Sequence, residues 1–350
     1  MAPSDHTILV TGANGYIALH IIQTLLTAGY NVRGTVRSQK AATLVQSTFP
    51  THHSPRLTLS LVPDLTTPTS LSAAIDHTIT GAIHTASPAC YPVPSIANDM
   101  LHPAIASATA LLDAIHLYAD PSRFEKVVHL SSLSAMLDHA QDPRTGYTYT
   151  ARDWNPVTFA QAAGLADHVA AYTASKALSE RAVWEWMEEH SPTWGIVCLC
   201  PSMVLGPHVE RIDALEGVRS TVRFLWGLVD AGRLPQLEFA GMVDVRDLAV
   251  MMVRAFEKSG GDGKRFLVAR EFDWQSVVDV AREGLEGGQG ERLPVGEPGT
   301  GREMTEKTIY KVDGSEVEEV LGVSYRGFEE TILDSFKMLF EIEQREKEDR

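Results

Sequence analysis

The stretch that most constrains the fold is the first one, residues 7–18, which reads TILVTGANGYIA. A short apolar run, residues 8–10, ends in a turn punctuated by Gly12 and Gly15, and a helical pattern starts near Tyr16. Glycine suits such a turn because the backbone must accept positive φ and let a ligand approach without a Cβ in the way. The helix that follows presents free N–H groups and a partial positive charge, which together favour an anion. The stretch therefore reads as a seat for a dinucleotide pyrophosphate, with Thr11, Gly12, Asn14, Gly15, Tyr16 and Ile17 as its candidate residues. The spacing is G-x-x-G-x-x-A rather than G-x-G-x-x-G, and the alternative is a tight strand-to-helix turn with no ligand.

Residues 32–36 read as a second strand, with Arg37 directly after it. In an NAD-binding unit this strand end usually offers a carboxylate to the adenosine ribose. No acidic residue occurs between Asp5 and Asp64, whereas Arg33, Arg37, Lys40 and Arg56 all fall in that interval. The pattern suits a 2′-phosphate, so NADP(H) is the expected cofactor, with Arg37 and Lys40 as clamps and Arg33 as a solvated surface charge. A third strand, 57–62, leads to Asp64 and Leu65, where the aspartate serves either as a turn or cap former or as an acceptor for the adenine amino group. A short helix is predicted over 69–77, a fourth strand over 82–85 and a long buried helix over 101–118. Thr85, Ala86 and Ser87 are small enough at that strand end for a cofactor to pass closely. A fifth strand, 124–130, ends in Ser131-Ser132. Alternating strands and helices predict a doubly wound α/β fold, a parallel sheet covered on both faces with ligands beyond its carboxyl ends. Thr11, Arg37, Asp64, Ala86 and Ser132 all fall at such ends.

A helix over 166–189 carries Tyr172 and Lys176, whose i, i+4 spacing puts phenol and ammonium on one face. Taken alone the pair also fits a solvated helix face. A sixth strand spans 194–199, helices are predicted over 216–231 and 243–258, and a short strand over 265–269. Residues 284–301 read as a loop, and a helix closes the chain over 328–350. Cys198 and Cys200 read as small hydrophobes on one face of a buried strand. With Cys90 the cysteines form an odd set without ligand spacing, and the scattered histidines suggest no metal site. The net charge of −15 argues against binding nucleic acid or an anionic membrane. The helix over 17–28, taken as the most apolar, is interrupted by His20 and Gln23 and is short of the run of about 20 residues that a span needs. Residues 1–6 lack the character of a secretory signal, so cytoplasmic residence is the expectation.

With these pieces placed, the chain resembles the extended short-chain dehydrogenase/reductases, and within them the group of dihydroflavonol reductases, cinnamoyl-CoA reductases and yeast methylglyoxal and aldehyde reductases. The likeness rests on TGANGYIA at 11–18, HTASP at 84–88, LSS at 130–132, Y-x-x-x-K at 172–176, PSMVLGP at 201–207, VDVRDLA at 243–249 and PVGEPGTG at 294–301. The resemblance implies a Rossmann domain from residues 1–205 and 241–270, and a smaller substrate-binding region from 206–240 and 271–350. It also implies that NADPH reduces a ketone or aldehyde. Tyr172 would protonate the carbonyl oxygen, Lys176 would hold the nicotinamide ribose and help the phenol part with its proton, and Ser132 would hydrogen-bond the substrate oxygen. Pro201 and Met203 would line the nicotinamide. Where many relatives carry an Asn in the long helix, residues 105–108 read Ile-Ala-Ser-Ala, so no Asn relay is available. Ala89, Leu133, Val169 and Met203 are candidates for an apolar pocket suited to a hydrophobic carbonyl compound, and the protein is expected to act as a monomer or homodimer. The alternatives are an epimerase or dehydratase that retains its cofactor, and a non-catalytic NADP sensor.

Overall fold

The computed structural model describes residues 2–51, 56–87, 92–219 and 221–348. Seven strands build the central sheet: β1 (Thr7–Thr11), β2 (Asn31–Val36), β3 (Leu57–Leu61), β4 (Ile79–His84), β5 (Lys126–Leu130), β6 (Gly195–Pro201) and β7 (Lys264–Val268). Their order across the sheet is β7-β6-β5-β4-β1-β2-β3, and every pairing is parallel. Short apolar runs, buried on both faces in the inner strands, dictate this, since parallel strands require helical crossovers that cover the sheet. Successive strands step outward from β1 to β3, and the chain then returns to place β4 on the other side of β1. This reversal opens a crevice beyond the carboxyl ends of β1 and β4.

Helices α1 (Tyr16–Ala28), α2 (Gln39–Thr48), α3 (His102–Tyr118), α4 (His168–His190), α5 (Val245–Glu257), α6 (Trp274–Gly284) and α7 (Phe328–Glu348) flank the sheet and extend the core. α1 ends where Gly29 adopts a left-handed φ of 96° and its N–H closes on Leu25 and Leu26. Glycine is required at residue 34 of β2 for a different reason. A Cβ there would stand 2.7 Å from the Ala13 methyl, so the side chain is absent to let the first turn lie on the sheet. One continuous apolar cluster runs from Ile8 through Val197 and Met251 to Phe336, so the two expected regions share a core.

Several elements differ from expectation. The helix read over 69–77 is a single 3-10 turn, Pro68–Leu71, and that over 216–231 reduces to the 3-10 turn Leu215–Gly217 and the helix Val222–Trp226. Residues 241–244 form a strand, and Asp244 caps α5 by accepting the Arg246 N–H at 2.8 Å. Gly301–Thr308 is a helix beyond the glycine-rich loop. Arg33 is not a free surface charge: it pairs with Asp76 at 2.7 Å. By length and composition one helix among the described residues, Ala97–Tyr118, could cross a membrane. Tyr16–Ala28, expected as the most apolar helix, is too short for that. The α3 part of that helix packs Ala108, Leu111, Leu112 and Ile115 into the cluster holding Val183 and Trp186 of α4.

Candidate active site

The glycine turn is built as its sequence requires. Gly12 has φ +65°, and a Cβ on it would lie 3.1 Å from that of Ala86. The loop is tied down by the Gly12 N–H on Thr35 Oγ1 at 3.1 Å and the Ala13 N–H on Thr35 O at 2.9 Å. Gly15 is the N-cap of α1 and brings no side-chain acceptor, so the first N–H groups of that helix stay open to an anion. They face a groove of about 590 Å³, within the range typical of ligand sites.

Gly12, Asn14, Gly15, Tyr16 and Ile17 line this groove on the loop side. Arg37, Asp64, Leu65, Thr85, Ala86 and Ser87 line it from the ends of β2, β3 and β4. Arg37 is exposed and, among the described residues, makes no hydrogen bond or ion pair. Asp64 accepts the Thr66 hydroxyl at 2.7 Å and its N–H at 2.8 Å, which hold its carboxyl below the usual range. It therefore forms a turn while also lining the groove.

Four expected contacts are not in the lining of this groove. Thr11 is fully buried, and Lys40 is exposed on the first turn of α2, outside the groove lining. Pro201 ends β6 in the core, and Met203 is buried in the short strand Met203–Leu205. Of the apolar pocket candidates, Leu133 is buried against Tyr149 and Tyr310, Val169 is 47% exposed, and Ala89 falls outside the described residues.

Thr11 acts beneath the loop. Its hydroxyl oxygen accepts the N–H groups of Thr85 and Ala86, both at 3.1 Å, so its hydrogen is left for His84 Nδ1 at 2.7 Å. His84 thus carries its proton on Nε2 and is neutral. His129 pairs with His84 across β4 and β5, ring centroids 5.4 Å apart. Burial, and then the Lys176 charge, push the His129 imidazole down to about 3. For His84, burial comes first, then His129 and Lys176. Both rings line a small cavity with Ser107, Ser131, Lys176 and Ser179. Ala86, Ser87, Ser107 and Leu130 belong to both the cavity and the groove, so the dinucleotide crevice reaches Lys176.

Lys176 Nζ lies 5.3 Å from the centroid of the Tyr172 ring, as the one-turn spacing on α4 requires. Ser132 stands at the end of β5 and caps the next turn, its Oγ accepting the Ser134 N–H at 3.2 Å. That bond uses a lone pair and leaves the hydroxyl hydrogen available. One turn beyond Lys176, Glu180 is completely buried. It accepts Ser131 Oγ at 2.5 Å, Arg265 Nε at 2.8 Å and Trp184 Nε1 at 3.2 Å. Arg265 also lies over the Trp154 ring, 3.7 Å from its centroid. This network fixes α4 to the end of β5, next to Ser132.

Sequence reasoning missed His84, His129, Glu180, Arg265 and Arg219. Only Glu180 carried a usable signal, its i+4 spacing from Lys176. Arg219 reaches the glycine turn from the region after β6, donating to Asn14 O at 3.2 Å.

A sequence model of the NAD dependent epimerase/dehydratase family matches residues 8–269. The chain is 33% identical to the NADPH-dependent methylglyoxal reductase GRE2 of Saccharomyces cerevisiae, over 97% of this chain and 99% of the relative. It is 29% identical to the ketoreductase azaE of Aspergillus niger, over 95% and 97%. The crystal structure of yeast methylglyoxal/isovaleraldehyde reductase Gre2 complexed with NADPH superposes with a TM-score of 0.88 at 31% identity, covering 97% of this chain and 99% of that one.

Proposed function

Because the chain belongs to the NAD dependent epimerase/dehydratase family, we propose that it is an NADPH-dependent reductase that converts a hydrophobic aldehyde or ketone to an alcohol. The observation that carries the reading is Lys176, 5.3 Å from the Tyr172 ring, in the small cavity at the inner end of a groove whose outer end holds an unpaired Arg37. The relatives named as NADPH-dependent methylglyoxal reductase and as ketoreductase support carbonyl reduction. The groove fits the cofactor on its own terms. It has a Cβ-free approach at Gly12, open N–H groups at α1, and a guanidinium without a carboxylate partner where a 2′-phosphate would lie.

When bound, NADPH supplies the hydride that adds to the carbonyl carbon. Tyr172 donates its phenolic proton to the carbonyl oxygen as charge develops there, and the ammonium of Lys176 stabilises the phenolate left behind. The Ser132 hydroxyl donates a second hydrogen bond to the same oxygen. Val169, exposed one turn before Tyr172 on α4, favours a hydrophobic substrate, with residues 206–240 and 271–350 shaping that side of the site.

The test is NADPH oxidation across a panel of aldehydes and ketones, comparing the protein with Tyr172→Phe. Loss of the acid is expected to lower kcat by about 10²–10⁴-fold while leaving NADPH affinity nearly unchanged. Undiminished turnover in the variant would refute the mechanism.

A further inference from the structure

The groove contains a second cation that the cofactor reading does not use. Arg219 lies in the irregular segment between β6 and α5, over two hundred residues from the glycine turn in sequence, yet it lines the same groove. Several arginines of this acidic protein are committed to carboxylates: Arg33 to Asp76, Arg246 to Asp244 and Asp334, Arg265 to Glu180, and Arg292 to Asp230 and Glu343. Arg219 makes no ion pair among the described residues, and its hydrogen bond goes to a main-chain carbonyl, that of Asn14. Glu210, a carboxylate within its field, is engaged with His208 at 3.1 Å. A guanidinium has five N–H donors, so the bond to Asn14 leaves most of them open. Asn14 sits between Gly12 and Gly15, in the turn that offers its N–H groups to an anion, so these donors reach the groove at its diphosphate end. Arg37 holds the other end, beyond β2.

We propose that Arg219 is a diphosphate clamp. It bonds the cofactor's diphosphate oxygens while bridging to the Asn14 carbonyl, and so fastens the region after β6 over the bound dinucleotide. The inference rests on the NADPH reading above. It divides anion recognition between two arginines, Arg37 for the 2′-phosphate and Arg219 for the diphosphate.

The two roles separate with two probes, NADPH and adenosine 2′-monophosphate, which carries the 2′-phosphate but no diphosphate. Each is titrated by calorimetry into the full-length protein, Arg219→Ala and Arg37→Ala. Both side chains are exposed, so neither truncation disturbs the core. Arg219→Ala is expected to bind NADPH about tenfold more weakly, the loss of a charge-assisted hydrogen bond, and to bind adenosine 2′-monophosphate as the parent does. Arg37→Ala is expected to weaken both probes. NADPH binding by Arg219→Ala at parental strength, or an equal loss for both probes, would overturn the clamp. Failure of the unaltered protein to bind NADPH would instead overturn the cofactor reading on which the clamp depends.

Discussion

The buried histidines make stability depend on pH in a way that can be worked out from the structure. His129 is 6% exposed, and burial followed by the Lys176 charge brings its imidazole to about 3, against about 6.5 in an unfolded chain. The unfolded state therefore binds the proton first as the pH falls. The stabilisation due to neutral His129 is complete above about pH 6.5, declines as pH falls below that value, and stops declining only near pH 3. Between pH 7 and pH 5 the unfolded imidazole goes from mostly neutral to almost wholly charged, while the folded one stays neutral. Linkage gives a loss of about 2 kcal/mol from this residue alone. The figure is set by the unfolded value and hardly depends on where the folded value lies below about pH 4. Carboxylates and the other histidines contribute in the same interval, so the quantity to measure is a double difference. Urea unfolding of the protein and of His129→Gln at pH 7 and pH 5 is expected to show the variant losing about 2 kcal/mol less on acidification, whatever its stability at pH 7. An identical pH 7 to pH 5 loss in the two proteins would refute the argument, because His129 would then bind a proton in the folded state as readily as in the unfolded one.

Two further substitutions test the frame of the site. Gly12→Ala forces a positive φ on an alanine and brings its methyl to 3.1 Å from Ala86. It is expected to cost about 1–2 kcal/mol in urea unfolding and to weaken NADPH in calorimetric titration. Arg265→Met leaves the Glu180 charge buried and unpaired and is expected to cost about 3–5 kcal/mol. Adding Glu180→Gln should recover much of that loss, and a double variant no more stable than Arg265→Met would refute the pairing.

The nucleotide-binding half was legible because its signals are local. A buried parallel strand shows itself as a short apolar run, and its carboxyl end as the small or polar residue that stops it. Thr11, Arg37, Asp64, Ala86 and Ser132 could therefore be placed before any coordinates. Local signals misled where a pattern was too short to sustain an element. The segment 69–77 has helical composition but closes only one turn from Pro68, and 216–231 is interrupted at Gly217 and Gly227. Gly301–Thr308 failed in the opposite way, since with only Gly301 buried it shows no apolar stripe to read. The pair His84 and His129 was illegible because β4 and β5 meet only in the sheet, and nothing in either strand announces its partner. Thr11 was placed on the correct turn but on the wrong side of it. Periodicity put it at the strand end, whereas its two N–H donors and its bond to His84 show that it supports the loop from beneath.

The proposed mechanism needs Lys176 to stay available to Tyr172, and the buried polar groups around α4 leave it so. A glutamate four residues after a lysine on a helix is ordinarily a salt-bridge partner for it, and Glu180 holds that position relative to Lys176. Here both carboxylate oxygens are taken, Oε1 by Arg265 Nε and Trp184, and Oε2 by Ser131, Arg265 Nη2 and Cys200. Lys176 forms no ion pair among the described residues. The side chains facing it from β4 and β5 are two imidazoles that burial keeps neutral, so they neither cancel its charge nor repel it. A carboxylate in place of either ring would draw the ammonium into the sheet. The Lys176 charge is thus left for the role proposed for it beside the phenol one turn earlier, and the same bonds that sequester Glu180 hold α4 against β5, next to the Ser132 hydroxyl.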